Sequence, residues 1–140
     1  MTQTTELAGV ESDLSALADT IYGEARGELY GGKMAVGCVV RNRVRKPGWW
    51  GRDYESVCKK PFQFSCWNDR DPNLAAIKSV PEHDDTYQEC IKSAREILSG
   101  CVDVTLGSTH YHALKVKPTW AQDLTPIIQI GGHLFYRNVP

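Results

Sequence analysis

Two carboxylates stand four residues apart in the stretch Ile21-Tyr-Gly-Glu24-Ala-Arg-Gly-Glu28. On a helix that spacing puts them on one face. Apolar residues recur at Leu14, Leu17, Ala18, Ile21 and Ala25, which sets Glu24 at the edge of a buried stripe and not on the solvent side. A carboxyl that loses part of its water is favoured in its protonated form. A carboxyl that keeps its proton near neutral pH is what general acid catalysis requires. Gly23 and Gly27 weaken such a helix by about 1 kcal/mol each relative to alanine, and they leave room beside Glu24 for something bulky. The chemistry this suggests is acid-assisted cleavage of a glycan. Glycosidases usually set two carboxylates across the scissile bond. Glu28 shares the expected helix and could reach the same groove; Asp123 is too distant in sequence to place. A plainer reading makes Glu24 a boundary charge and Arg26 a solvated one; Glu28 reads as a helix-end residue that holds the local structure by pairing with a basic side chain.

Other residues carry competing chemistries. His110 and His112 form a His-x-His pair that, on a strand, points both rings to one face, and His133 could complete a zinc site with them. Nothing like His-Glu-x-x-His supports that reading. Cys66 with His110 or His112 would be a cysteine nucleophile, but a thiol in an apolar loop beside Trp67 is pushed away from the thiolate it would need. A non-catalytic wall-binding module would use Trp49, Trp50, Trp67 and Trp120 as stacking platforms. The segment Pro61-Phe-Gln63-Phe-Ser65-Cys-Trp67-Asn68 mixes aromatic faces with amide and hydroxyl groups. It suits either a groove wall or a core-packed loop with satisfied amides.

The elements that must position these groups follow from periodicity. Residues 1–10 read as a loose arm, and Ser12 as the N-cap of a helix over about 13–28 that Gly31-Gly32 ends. A second helix is expected over about 33–45, stopped by Pro47-Gly48; its nearly all-round apolar content makes it the central buried helix. Asn42 on that helix needs a partner, and a hydrogen bond to a neighbouring loop is the expectation. Trp49-Trp50-Gly51 is an aromatic turn. Short helices are expected near residue 56 and over 74–80, then a scaffold helix from Pro81 to Leu98 with Gly100 as its stop. Residues 105–113 read as a strand with Thr109, Tyr111 and Ala113 on one side. Residues 127–136 read as a hairpin around Gly131-Gly132. Helices first and a small antiparallel sheet last make an α+β domain.

The chain has 140 residues, enough for one domain that buries a core without staples. A formal net charge of -1 gives no global field toward nucleic acid or membrane. No apolar run is long enough to cross a bilayer. The polar, acidic start Met1-Thr-Gln-Thr-Thr-Glu lacks the features of a secretory signal, so synthesis in a cytoplasm is expected. Five cysteines cannot all pair in one chain. Cys58 with Cys66, or Cys90 with Cys101, could bridge in an oxidising site; buried free thiols are the alternative. No Cys-x-x-Cys suggests structural zinc.

Taken together, the motifs resemble a known family. Ile-Tyr-Gly-Glu24-Ala-Arg-Gly-Glu28 is followed by Ala35-Val-Gly-Cys-Val-Val-Arg-Asn42-Arg43, Gln63-Phe-Ser65, Thr109-His-Tyr111, Pro118-Thr-Trp120 and Ile130-Gly-Gly-His133-Leu-Phe135-Tyr136. In this order they resemble the SleB-type cell wall hydrolases, the spore cortex-lytic enzymes and their bacterial and phage relatives, over nearly the whole chain. The resemblance implies a mainly helical, lysozyme-like fold related to lytic transglycosylases. It implies cleavage of the N-acetylmuramic acid to N-acetylglucosamine β-1,4 bond of peptidoglycan, with closure to a 1,6-anhydromuramic end. Glu24 is then the single catalytic glutamate, giving a proton to the leaving oxygen and later accepting one from the 6-hydroxyl, which replaces the attacking water. Gln63, Ser65, Thr109 and Tyr111 take the places of groove-lining motifs, with Glu28 and Trp67 beside them. No cofactor or metal is implied. The partner is the glycan chain, with no nucleic acid, no membrane insertion, and a monomer expected. Without a signal or a separate wall-binding repeat, the chain looks like a phage endolysin that reaches the wall after the membrane is permeabilised.

Overall fold

The computed structural model describes residues 2–46 and 48–140. Helix α2 (Tyr30–Val44) is the axis of the packing, and residues 32–41 are all buried. Its small residues set how closely its neighbours approach. A Cβ at Gly37 would fall 2.7 Å from the Ile97 side chain, so α5 (Asp85–Ser99) lies directly on the α2 backbone. Helix α1 (Thr2–Ala25) packs against α2, α5 and the short helices α3 (Tyr54–Lys59) and α4 (Pro72–Ser79). Leu17 and Ile21 of α1, Val36 and Val40 of α2, and Ala94 and Ile97 of α5 form the centre of this helical core. A smaller cluster, Ala35, Val39 and Phe135, joins α2 to the sheet.

The first helix differs from the sequence expectation at both ends. It begins at Thr2, not Asp13, so the arm expected over residues 1–10 is helical as far as it is described; Met1 lies outside the described residues. No proline interrupts residues 2–13, and extending a nucleated helix costs little per residue. Asp13 is instead an interior residue whose Oδ1 accepts the Glu55 N–H of α3 at 3.1 Å. The helix also stops at Ala25, three residues early. The Arg26 guanidinium turns back onto the carbonyls of Tyr22 and Gly23 at 3.4 and 3.2 Å, satisfying acceptors that a further turn would have used. Gly31 and Gly32, expected to break the chain, lie in the first turn of α2. The expected stop at Pro47 falls outside the described residues. Helix α5 starts at Asp85 and not at Pro81, because the Asp84 carboxylate caps it by accepting the Tyr87 N–H at 2.9 Å. Gly100, at φ +99°, ends it as expected.

The sheet has three antiparallel strands in the order β1 (His110–Ala113), β3 (His133–Tyr136), β2 (Ile128–Ile130). β1 is shorter than expected because residues 103–108 turn around one carboxylate. Asp103 accepts the Thr105 and Gly107 N–H groups at 2.8 and 2.9 Å, and the Asn42 amide donates to it at 2.9 Å. Asn42 also donates to the Ser108 carbonyl at 2.8 Å, so its place on α2 fixes where β1 begins. All five cysteines are free, and four of them are buried.

One sheet face carries an aromatic cluster in which His110 lies 5.8 Å from the Trp50 ring and 5.1 Å from the Trp120 ring. Burial first, then the nearby Arg43 and Lys46 cations, hold its folded-state pKa down to about 4 from 6.5. The unfolded chain therefore binds a proton that the folded chain refuses between these values. This contribution to stability is complete above pH 6.5 and is lost as pH falls toward 4. Melting temperatures should decline across that window in the wild type, and His110→Phe, which keeps the ring, should decline less. Parallel curves for the two proteins would show that His110 does not carry the effect.

Candidate active site

Glu24 sits in the last turn of α1, half-buried. Its position depends on Gly23: a Cβ there would meet the Cys66 Cβ at 2.6 Å and Ile77 at 2.7 Å. The room that Gly23 clears is thus filled by the protein itself. The 3-10 turn of residues 65–67 comes down onto α1, and its Cys66 N–H donates to Glu24 Oε2 at 3.3 Å. The other carboxylate oxygen, Oε1, accepts the hydroxyl of Tyr111 from β1. Burial, followed by the neighbouring Glu24 charge, holds the Tyr111 phenol well above its usual range, so it remains a proton donor. The Tyr111 ring is fixed by Phe64, Phe135 and His133, with centroids 6.5, 5.6 and 5.0 Å away.

A buried cation completes this corner. Arg43 is 6% exposed, donates through Nε to the Thr109 carbonyl at 2.8 Å, and lies over the rings of Phe64 and Trp50 at 4.9 and 5.3 Å. Burial pulls its pKa down, while Tyr111 and Glu24 act in the opposite sense. Arg43 was not singled out from the sequence. An arginine near a helix C-terminus ordinarily reads as solvated, and the only signal against that was its place in an otherwise apolar helix.

Glu24, Tyr111 and Arg43 line a cleft of about 490 Å³. Phe62, Gln63, Phe64 and Ser65 contribute from the loop after α3; Val116, Pro118 and Trp120 contribute from the segment after β1. Phe62 holds a left-handed backbone, φ +65°, with its ring 85% exposed at the lip. Aromatic rings beside convergent amide, hydroxyl and carboxyl groups form a site for a polar ligand with apolar faces, and a carboxyl with both oxygens engaged is fixed in direction.

Of the residues expected at the site, Glu24, Gln63, Ser65 and Tyr111 come together in the cleft. Thr109 does not. It is buried, its hydroxyl pairs with His110 Nδ1 at 2.9 Å, and it serves the site only through the carbonyl that holds Arg43. Trp67 lines a neighbouring pocket of about 340 Å³ beside Lys59 and Lys60, and its indole N–H donates to Thr20 at 2.8 Å. Glu28 is off the helix, because α1 ends before it. Its Oε1 accepts the Gly132 N–H at 2.8 Å, and it does not line the cleft. His133 Nδ1 lies 4.0 Å from Glu28 Oε1 without a hydrogen bond, so the pairing with a basic side chain expected for Glu28 exists there only when that ring is protonated.

Strand parity separates the three histidines of the zinc reading. The register opposes Ala113 to His133 and His110 to Tyr136. His133 therefore shares a face with Tyr111, while His110 and His112 share the other. Both His112 nitrogens are engaged, Nδ1 by the Ala113 carbonyl and Nε2 by the Tyr136 hydroxyl, each at 2.8 Å. Cys66 is buried, and burial, then Glu24, pushes its thiol far up, which opposes the nucleophile reading. The four tryptophans form no common platform: Trp120 lines the cleft, Trp67 lines the neighbouring pocket, Trp50 packs against His110 and Arg43, and Trp49 is 66% exposed.

Comparison with known proteins bears on this geometry. The family model described as Cell Wall Hydrolase matches residues 27–136, so Glu24 lies just before the matched span. A spore cortex-lytic enzyme of Halalkalibacterium halodurans is 30% identical over 126 residues, which are 89% of this chain and 34% of that protein. A spore cortex-lytic enzyme of Bacillus subtilis is 47% identical over 73 residues, 49% of this chain and 24% of that one. The chain thus spans about a third or less of the length of the curated relatives it matches. Among solved structures, the catalytic domain of the Bacillus cereus SleB protein superposes with a TM-score of 0.71 at 25% identity, covering 91% of both chains. The catalytic domain of the germination-specific lytic transglycosylase SleB from Bacillus anthracis gives 0.70 at 26% identity, covering 90% of this chain and 94% of that one. The fold is the mainly helical, lysozyme-like α+β fold with a small antiparallel sheet.

The seat of Glu28 makes a prediction about the hairpin. Gly131 has φ +56°, and a Cβ there would fall 2.2 Å from Glu28 Oε1. Left-handed backbone costs an L-residue about 1–2 kcal/mol, and the carboxylate must also move. Gly131→Ala should therefore lower stability by about 2 kcal/mol or more. Chemical denaturation that leaves the midpoint unmoved would show that Glu28 is not seated there.

Proposed function

The chain belongs to the cell wall hydrolase family, and from that premise we propose that it cleaves the N-acetylmuramic acid to N-acetylglucosamine bond of peptidoglycan as a lytic transglycosylase, with Glu24 as the general acid. The observation that carries this reading is the Glu24 carboxyl on the cleft wall, held by the Tyr111 hydroxyl on one oxygen and the Cys66 N–H on the other. A carboxyl so fixed can meet a leaving oxygen without reorienting.

Protonated Glu24 gives its proton to O4 as the C1–O4 bond breaks. Positive charge grows on the muramic ring, and O6 of the same sugar bonds to C1, closing the 1,6-anhydro ring as the O6 proton passes to the carboxylate left on Glu24. An internal hydroxyl takes the place of water, so a second carboxylate across the bond is not required. The carboxylate left on Glu24 is received by a preorganised donor, the Tyr111 hydroxyl, and by the field of the buried Arg43 cation; such donors need no reorganisation as charge develops. The single phenolic proton is committed to Glu24, so holding the acetamido group falls to the Gln63 amide and not to Tyr111. Phe62 and Trp120 offer ring faces to the sugar.

We also infer, from the sequence resemblance, an endolysin role in which the enzyme meets the wall after the membrane is opened. Added protein should then lyse chloroform-permeabilised bacteria but not intact ones that keep an outer membrane. Lysis of neither would count against that role.

Mass spectrometry of digested, purified peptidoglycan tests the reaction itself. The expected ends are anhydromuramic, one water lighter than reducing ends; released stem peptides would instead indicate an amidase or peptidase. Glu24→Gln should keep its melting temperature and lose about 10²–10⁴ in turnover, the usual contribution of a general acid. A loss below tenfold would move the acid elsewhere. Tyr111→Phe should lower kcat and kcat/KM alike by about 10²–10³, as expected for a donor used mainly in the transition state. Normal turnover with early melting would make Tyr111 structural.

A further inference from the structure

A second cavity, of about 340 Å³, adjoins the cleft. Phe62 lines both, so the two meet at its ring. That ring is exposed and sits on a left-handed backbone, φ +65°. Such a conformation is uncommon for a bulky side chain and persists only where the surroundings hold it. Trp67 lines the second cavity too, and its ring is fixed by the indole N–H, which donates to Thr20 at 2.8 Å.

The charge of this cavity is opposite in sign to that of the chain. Two ammonium groups, Lys59 and Lys60, and one carboxylate, Asp69, line it, while the chain as a whole carries -1. Neither ammonium is consumed by the protein itself. Lys59 Nζ has a Glu55 carboxylate oxygen at 3.9 Å, but both side chains are half exposed and such a pair holds weakly. Lys60 forms no ion pair among the described residues. Aromatic faces place both groups: Lys59 Nζ lies 5.2 Å from the Trp67 ring centre, and Lys60 Nζ 4.7 Å from the Trp49 ring centre. A sugar stacks on a bare ring face, whereas Trp67 and Trp49 each carry a cation over one face. Asn68 adds a side-chain amide, which can donate to and accept from a peptide group. The cavity therefore suits an anionic chain with peptide groups better than a further sugar.

A glycan bound in the cleft brings such a group with it. The muramic ring at Glu24 carries a lactyl ether on C3, the ether carries a peptide, and that peptide ends in at least one carboxylate. The peptide has to leave the cleft over its lip. We propose that the Lys59–Lys60 cavity binds this stem peptide, with the two ammonium groups taking its carboxylates and the Phe62 ring and the Asn68 amide taking the chain between. This rests on the glycan-cleaving reading given above. Asp69 is the one lining group that opposes an anion, and it is exposed, where water and salt screen it. The enzyme then reads the peptide as well as the sugar, and strands that still carry their stems are its preferred substrate.

The test gives the whole chain two forms of one substrate. One is glycan strands that keep their stem peptides, freed of cross-links by an endopeptidase; the other is the same strands stripped of stems by an amidase. The first should be cleaved with a kcat/KM about threefold to tenfold higher, the gain that two solvent-exposed ion pairs supply, and carried mainly by KM. In about 1 M salt, which screens exposed charges beyond about 3 Å, that ratio should fall toward one. Lys59→Gln combined with Lys60→Gln should bring it to one at low salt, with the melting temperature of the wild type. A wild-type ratio of one, a ratio that the double variant leaves unchanged, or an equal loss on both kinds of strand would each overturn the site. The salt dependence decides without any variant: a ratio that high salt leaves intact would overturn the role of the ammonium groups. The ratio is read whichever ends form. Reducing ends in place of anhydromuramic ends would sink the transglycosylase reading alone, while a ratio above one that salt and the double variant abolish would still support the site.

Discussion

The hydrogen bond from the Tyr111 hydroxyl to Glu24 spans 87 residues of sequence and joins the two halves of the fold. One end lies on the last turn of a helix from the first half of the chain. The other lies on a strand that forms only in the last third. Everything between them holds those two ends in register. Gly23 lets the 3-10 turn approach α1, and Asn42 fixes the start of the strand through Asp103 and Ser108. A donor and a carboxylate brought together in a half-buried place form a strong contact and a costly one to break, because each would be left without water or partner.

The same helix that builds the core also carries three buried cationic side chains, Lys33, Arg41 and Arg43. Each of them donates to a carbonyl. Lys33 serves Glu28, Arg41 serves Ile97 at 3.3 Å, and Arg43 serves Thr109 at 2.8 Å. A buried charge stays tolerable only when it is hydrogen-bonded or paired. Here the cations tie the ends of other elements to α2, and Arg43 adds positive potential beside the Glu24–Tyr111 contact. Cation faces on Phe64 and Trp50 extend that arrangement to the cleft wall. Scaffold and site share these residues, so changes to the core of α2 reach the cleft directly.

Glycine does two different jobs near the C-terminal end of α1. At Gly23 the missing side chain lets the Cys66 and Ile77 side chains come down onto the helix backbone. At Gly32, Gly131 and Gly132 the missing side chains make a seat for a carboxylate that belongs to neither the helix nor the sheet. Glu24 and Glu28, four residues apart, thus meet different surroundings. One faces the cleft with two donors; the other lies behind it with a backbone N–H and an imidazole.

Much of this was legible in the sequence. The 3.6-residue recurrence of Leu14, Leu17, Ala18 and Ile21 gave helix α1 and put Glu24 on its buried edge. The apolar run of 34–40 gave the central helix, and Gly131-Gly132 between alternating residues gave the hairpin, because each signal is local and each element must bury one face. The ordered motifs carried the family. What they could not carry was pairing at a distance. Whether Glu28 continues the helix depends on Arg26 capping it three residues early. Whether His133 joins His110 or Tyr111 depends on a one-residue choice of strand register, which turns every side chain to the other face. That Thr109 lies buried behind the cleft and Arg43 within it depends on where Asn42 anchors the turn before β1. Sequence alone determined the elements, the place of the Glu24 carboxyl and the family, since those follow from periodicity, residue type and the order of the motifs; tertiary structure alone decided which groups share the cleft with that carboxyl, since that follows from register, caps and the space that glycines leave.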